Sequence, residues 1–236
     1  MVMHGPDATD RWFVRASSST DGVGPHRLRP VAGTDLDRAL ASRIARAPLL
    51  ALALILLASG MAGATATRTA PNGLPYSTAS ARVVQPQPPA GSCHARASGL
   101  YSKPDPRCTP GALNPAVTQA TIGTTICHSG WTSTVRPPES ITAPEKLASM
   151  AAYGDRGPAS SYEYDHDVPL ELGGAANDPR NLWPEPDYPT RSGFYLNPKD
   201  RLERALNRLV CRGSMGLSQA QGLIAADWVS AYHRYG

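Results

Sequence analysis

Phenylalanine is almost absent: the chain has two in 236 residues, against 23 prolines and 21 glycines. Large apolar anchors are scarce and chain-breaking residues common. That excludes a big continuous core and leaves room for one domain, two at most, with much loop. Lysine is missing from residues 1–66, which carry seven arginines and five acids; sixteen basic residues against fourteen acids follow. The net charge of +4 is mild. It permits a nucleic-acid or acidic partner without demanding one, so an anion-binding patch has to come from local clustering. There is no internal repeat. No cysteines stand at CxxC spacing, which argues against a zinc knuckle.

The one long apolar run is "APLLALALILLASGMAGATA". Arg38, Arg43 and Arg46 precede an apolar core from Leu49 to Ala58, and Ala64-Thr65-Ala66 matches a small-residue cleavage pattern. Together these parts define a secretory signal peptide over 38–66. The competing reading is an uncleaved membrane anchor, but the core falls short of the about 20 residues a span needs. Residues 1–37 are polar and aperiodic. They read as a disordered extension or a mis-assigned start, with translation beginning near Val31. The expected product is a secreted or periplasmic monomer with no stable membrane insertion after cleavage. Its four cysteines, Cys93, Cys108, Cys127 and Cys211, make an even set in an exported chain, so disulfides are expected. Three full pairings are open. The reading leans to Cys93–Cys108, a local loop, and Cys127–Cys211, and the sequence does not choose among them.

Residues 67–103 are rich in Pro, Ala and Ser and read as a flexible linker. Residues 104–236 then form the domain. "QATIGTTICHSGWT" suits an extended segment. "TAPEKLASMAAYG" reads as a short helix capped by Thr142, with Glu145 completing a capping box and Gly154 stopping it. Tyr162–Leu170 and Asn181–Trp183 read as two strands joined through Gly173-Gly174 and Asn177-Asp178-Pro179. "NPKDRLERALNRLVCRG" is a helix capped by Asn197 and ended by Gly213, with Leu202, Ala205, Leu206, Leu209 and Val210 as its buried stripe. A last helix starts at Ser218 with Gln221 as its box partner.

Asp165-His166-Asp167 interrupts the first of those strands. Buried charges cost stability unless they have a job. Neighbouring strand residues point to opposite faces, so a site shared by Asp165 and His166 requires a local distortion or a turn there, for which Pro169 and the two glycines give room.

"DHDVPLELGG…NDPRNLWPEP…KDRLE" resembles the HNH nucleases of the ββα-metal (His-Me finger) class. More closely, residues 105–235 resemble small exported HNH-like proteins of bacteria. The resemblance implies an α+β fold: a small ββα-metal core, a two-stranded hairpin plus a helix, with flanking helices. It implies His166 as general base, Asp165 as metal ligand, and Asn181 as the residue that braces the loop and orients the histidine. The family's third position is a helix histidine, and residues 197–213 contain none. Asn207 is taken as the substitute ligand, with Asp200 as its rival. The implied cofactor is a divalent ion, Mg2+ or Mn2+, with Zn2+ or Ni2+ as further candidates. The implied function is a metal-dependent endonuclease that hydrolyses nucleic-acid phosphodiesters, DNA before RNA, with little sequence preference. The alternative is a non-catalytic exported HNH-like domain binding a cell-envelope partner or polymer. The missing histidine favours it and the DH…N spacing opposes it.

The residues support these roles independently. A neutral imidazole can take a proton from water, and carboxylate oxygen suits a hard cation. Each role has a plainer competitor. His166 could close a loop, Asn181 could be a turn residue, and Asn207 could be a surface polar group. Asp167 reads as a solvated residue, and His128 and His233 as incidental. Trp183 and Trp228 read as core. Arg201, Arg204, Arg208 and Arg212 form one helical stripe, either a solvated face or a phosphate-contacting one.

Overall fold

The computed structural model describes residues 68–98, 100–188 and 197–236; the expected signal peptide and the 1–37 extension lie outside the described residues. The fold is α+β. In chain order it has β1 (Arg96–Ser98), β2 (Tyr101–Lys103), α1 (Trp131–Val135), α2 (Glu139–Tyr153), β3 (Tyr162–His166), β4 (Leu182–Pro186), α3 (Pro198–Cys211) and α4 (Leu217–Tyr235). β1 pairs with β2, and β3 with β4, each as an antiparallel hairpin.

Residues 68–103, expected to be a tether, are built into the domain instead. Tyr76 and Leu113 form a parallel bridge, and Ser77 N donates to Leu113 O at 2.8 Å. Gln85 N donates to Glu145 Oε1 at 2.6 Å, and Asn177 Nδ2 donates to Ser80 O and Val83 O. Where this segment forms no ladder of its own, its backbone groups are open to partners on the domain. Composition alone does not distinguish that from a tether. Cys93 is disulfide-bonded to Cys108 and Cys127 to Cys211, the pairing the sequence leaned to.

α3 follows its sequence signals closely. Asn197 accepts Lys199 N at 2.9 Å as N-cap, Pro198 takes the first position, and Gly213 follows the helix at φ +75. Leu202, Leu206 and Val210 are fully buried against Leu217, Ala220, Ile224 and Trp228 of α4. This is an apolar stripe at helical spacing doing what such a stripe does. Trp183 is buried as well.

Three local expectations differ. "TIGTTICHSGWT" forms a 3₁₀ turn at Ile122–Thr124 and the short α1, not a strand. Its β-branched residues meet their backbone needs locally, as where Thr125 Oγ1 donates to Thr121 O at 2.7 Å. α2 starts at Glu139, ahead of Thr142, and carries Pro144 inside it; Glu145 is buried against the 80s segment and makes no capping box. α4 starts after Gly216. Gln221 is buried and donates to Leu172 O at 2.9 Å, so it is a strut between α4 and the β3–β4 loop. α4 also kinks at Asp227, whose carboxylate accepts Ser230 N and pairs with Lys103 at 2.8 Å, capping the second half.

Candidate functional site

The β3–β4 hairpin is regular through the Asp-His pair. Asp165 lies opposite Trp183 and His166 opposite Leu182, in uninterrupted register. Side chains on a strand alternate between faces. Glu163, Asp165 and the β4 residues Trp183 and Glu185 therefore share one face. Tyr162, Tyr164, His166 and Leu182 share the other. The distortion that a shared Asp165–His166 site requires is absent.

The acidic face is closed by α3. Lys199 is fully buried, and its ammonium donates to Asp165 Oδ2 and His166 O at 2.5 Å and to Glu203 Oε1 at 2.6 Å. Three oxygens saturate an ammonium. Burial works to raise the Asp165 carboxyl, and the Lys199 ammonium outweighs it, holding Asp165 below the usual carboxylate range. Burial works to lower Lys199, and Asp165, Glu203 and Glu185 outweigh it, so the ammonium is held above its usual range. One cation does not serve every acid nearby. Burial and the Asp165 charge push Glu185 well up, and burial pushes Glu203 up against the pull of Lys199. Burial likewise pushes Asp167 up to about 8. Asp167 is not solvated as its sequence suggested: it is 1% exposed, and neither carboxyl oxygen has a hydrogen-bond partner among the described residues.

The imidazole of His166 faces away from these acids. It lines a narrow cleft with Arg136, Thr142, Lys146, Tyr164 and Ala176. His166 Nε2 is 3.2 Å from Ala176 O. A carbonyl only accepts, so Nε2 carries the proton and the lone pair is on Nδ1. Burial and the Arg136 guanidinium push the His166 pKa down to about 4, so the ring is neutral at physiological pH.

Asn181 is tied into the loop that joins β3 to β4. It is fully buried, and Oδ1 accepts Val168 N at 2.9 Å and Ala112 N at 3.3 Å. Nδ2 donates to Val168 O and Ala175 O, both at 3.0 Å. One side chain thus ties both ends of the 168–175 loop to the preceding segment. The glycine pair lets the loop close. A Cβ on Gly174 would lie 1.7 Å from Val168 O, and Gly173 takes φ +76 after a 3₁₀ turn.

The remaining candidates lie apart. Asn207 Nδ2 donates to Glu171 O at 2.7 Å and Ile126 O at 3.3 Å, beside the Cys127–Cys211 disulfide. Asn207 comes eight residues after Lys199, about 12 Å along the helix axis. Asp165 and Asn207 thus have different partners. Arg201, Arg204 and Arg208 are exposed on α3, with Arg201 over the Tyr232 ring at 6.0 Å. Sequence reasoning missed Lys199 and Arg136. The signal for Lys199 was its Glu203 partner one helical turn on. Arg136 left no local signal, because its cleft is assembled from α2, β3 and the 176 loop.

The ligand set that the resemblance implies is not gathered here. Its oxygens close on the Lys199 ammonium, its imidazole is on the opposite face, and its helix position has other partners. Among the described residues no three His, Cys, Asp or Glu side chains are arranged to hold a metal ion. No protein-family model matches this chain, and neither a curated protein nor a solved structure does. The class these coordinates define is an α+β domain stapled by two disulfides, a hallmark of oxidising compartments. Among the described residues no helix is long and apolar enough to cross a membrane.

Proposed function

We propose that this is an exported HNH-like nuclease that cleaves nucleic-acid phosphodiesters with little sequence preference, and that it works from His166 without a divalent ion at Asp165. The supporting observation is a neutral imidazole beside Arg136 in a cleft whose lining, among the described residues, holds no acid. In this reading His166 Nδ1 takes the proton from the attacking hydroxyl as its oxygen bonds to phosphorus, the bond from phosphorus to the leaving oxygen breaks, and that oxygen takes up a proton from solvent. Arg136 offsets the charge that grows on the non-bridging phosphate oxygens. Asn181 holds the 168–175 loop behind the ring. Lys199 replaces a cation structurally and is too buried to touch substrate.

A base acting alone is best suited to a nucleophile that is already in place. The 2′-hydroxyl of RNA is one, and water attacking DNA is not. RNA is therefore placed ahead of DNA, the reverse of what the resemblance implies.

The second reading, a non-catalytic domain binding a cell-envelope partner or polymer, is favoured by the Lys199 ammonium, which occupies the Asp165 oxygen that a metal ion would need. Cleavage of labelled RNA and plasmid DNA by the full chain, in chelator and in Mn2+, separates the two. Cutting in chelator that disappears in His166→Ala supports the nuclease. No cutting under either condition leaves the binding domain. Equal cutting by His166→Ala removes His166 from the chemistry.

A further inference from the structure

Beside the His166 cleft runs a larger groove, of about 280 Å³, whose lining includes Ser77, Arg82, Asn114, Thr134, Arg136 and Ala176. Arg136 and Ala176 line the His166 cleft too, so the two depressions meet at these residues. The Ala176 carbonyl at the junction is the one that accepts His166 Nε2.

We propose that this groove, and not the arginine stripe of α3, seats the phosphate backbone of the nucleic-acid strand. The inference rests on the nuclease reading and assigns its substrate-binding surface. Two arginines line the groove, and among the described residues its lining, like that of the cleft, contains no Asp or Glu. An anion therefore meets guanidinium groups on its way to the imidazole. The Asn114 amide adds a hydrogen-bond donor for phosphate oxygens.

The wall that carries Arg82 is fixed in advance. Asn177 Nδ2 donates to Ser80 O at 3.0 Å and Val83 O at 2.9 Å, one residue to either side of the 81–82 pair. Glu145 Oε1 accepts both Gln85 N and Asn177 Nδ2, locking that wall to α2. Little ordering remains to be done when a strand binds. The α3 stripe, in contrast, shares its helix with Asp200 and Glu203 and belongs to the element that closes the acidic face.

Fluorescence anisotropy tests the proposal, using the full chain carrying His166→Ala so that nothing is cut. The probes are labelled single-stranded RNA and DNA oligonucleotides in chelator over a salt series. Arg82→Glu and Arg136→Gln are each expected to weaken binding about tenfold and to lower the salt slope by about one. Arg156→Glu, exposed and outside both depressions, is expected to stay within about twofold of the parent. Arg82 is exposed, so its variant keeps the test valid even if Arg136→Gln folds poorly. Unchanged binding by Arg82→Glu, or loss confined to Arg204→Glu and Arg208→Glu, overturns the groove. Arg82-dependent binding by a chain that cuts nothing sustains the groove and sinks the nuclease reading. Cutting that depends on His166 but not on Arg82 does the reverse.

Discussion

The Lys199 ammonium stands 2.5 Å from Asp165 Oδ2, at the centre of the acidic face. It also binds the backbone carbonyl of His166, whose ring points the other way. Asp165 and His166, adjacent in sequence, thus serve separate environments. Removing one partner of a buried pair leaves an uncompensated charge. Lys199→Met is expected to cost about 3–5 kcal/mol in denaturant unfolding, and Asp165→Asn in the same chain to recover most of it. Additive losses would show that the two are not coupled.

Asp167 gives a pH test. Its folded pKa, up at about 8, exceeds the ordinary carboxyl value, so the folded state prefers it protonated. Its contribution to stability is present at low pH and is lost as pH rises from the ordinary value through 8. Asp167→Asn, neutral at every pH, is expected to melt higher than wild type at pH 8. The gap should close below about pH 4, where Asp167 is protonated in both states. A constant gap in melting temperature would place the effect in packing instead.

His166 shifts in the opposite sense. Its pKa, down at about 4, means the folded state prefers the neutral ring. That stability is present above the ordinary histidine value and is lost as pH falls through it towards 4. Cleavage by the neutral base is expected to hold its rate through about pH 6.5, where an ordinary histidine titrates, and to fall only near pH 4. An acidic limb at the ordinary value would mean that Arg136 and burial do not act on the ring as described.

Asn181 and Gly174 hold the loop behind that ring. Asn181→Ala leaves buried loop groups at Val168, Ala175 and Ala112 without their partner and is expected to cost about 2–4 kcal/mol. Gly174→Ala forces a methyl into Val168 O and is expected to cost at least as much. Chemical denaturation reads both. A loss under about 0.5 kcal/mol for Asn181→Ala would mean that water replaces the side chain readily.

The parts of this architecture legible in the sequence were those specified locally. The caps and apolar stripe of α3, the glycine bend and the lean towards the local Cys93–Cys108 disulfide rest on near-neighbour chemistry. The site was less legible because its decisive facts are long-range. Whether Asp165 and His166 share a face depends on a bulge that alternation neither requires nor forbids. Whether Lys199 is a surface cation or a buried one depends on where α3 docks. The 68–103 segment looked like a tether because its composition does not show the remote partners, Glu145 and Asn177 among them, that fix it. Arg136 became a candidate only once α2 was seen beside β3.

The account turns on an ammonium holding the position that the resemblance would give to a metal ion. Calorimetric titration of Mg2+, Mn2+ and Zn2+ into the full chain tests this most directly, repeated with Asp165→Asn. The account predicts no one-to-one binding that depends on Asp165. Stoichiometric binding by wild type that disappears in Asp165→Asn would contradict it, because Lys199 would then have yielded its oxygens to the ion.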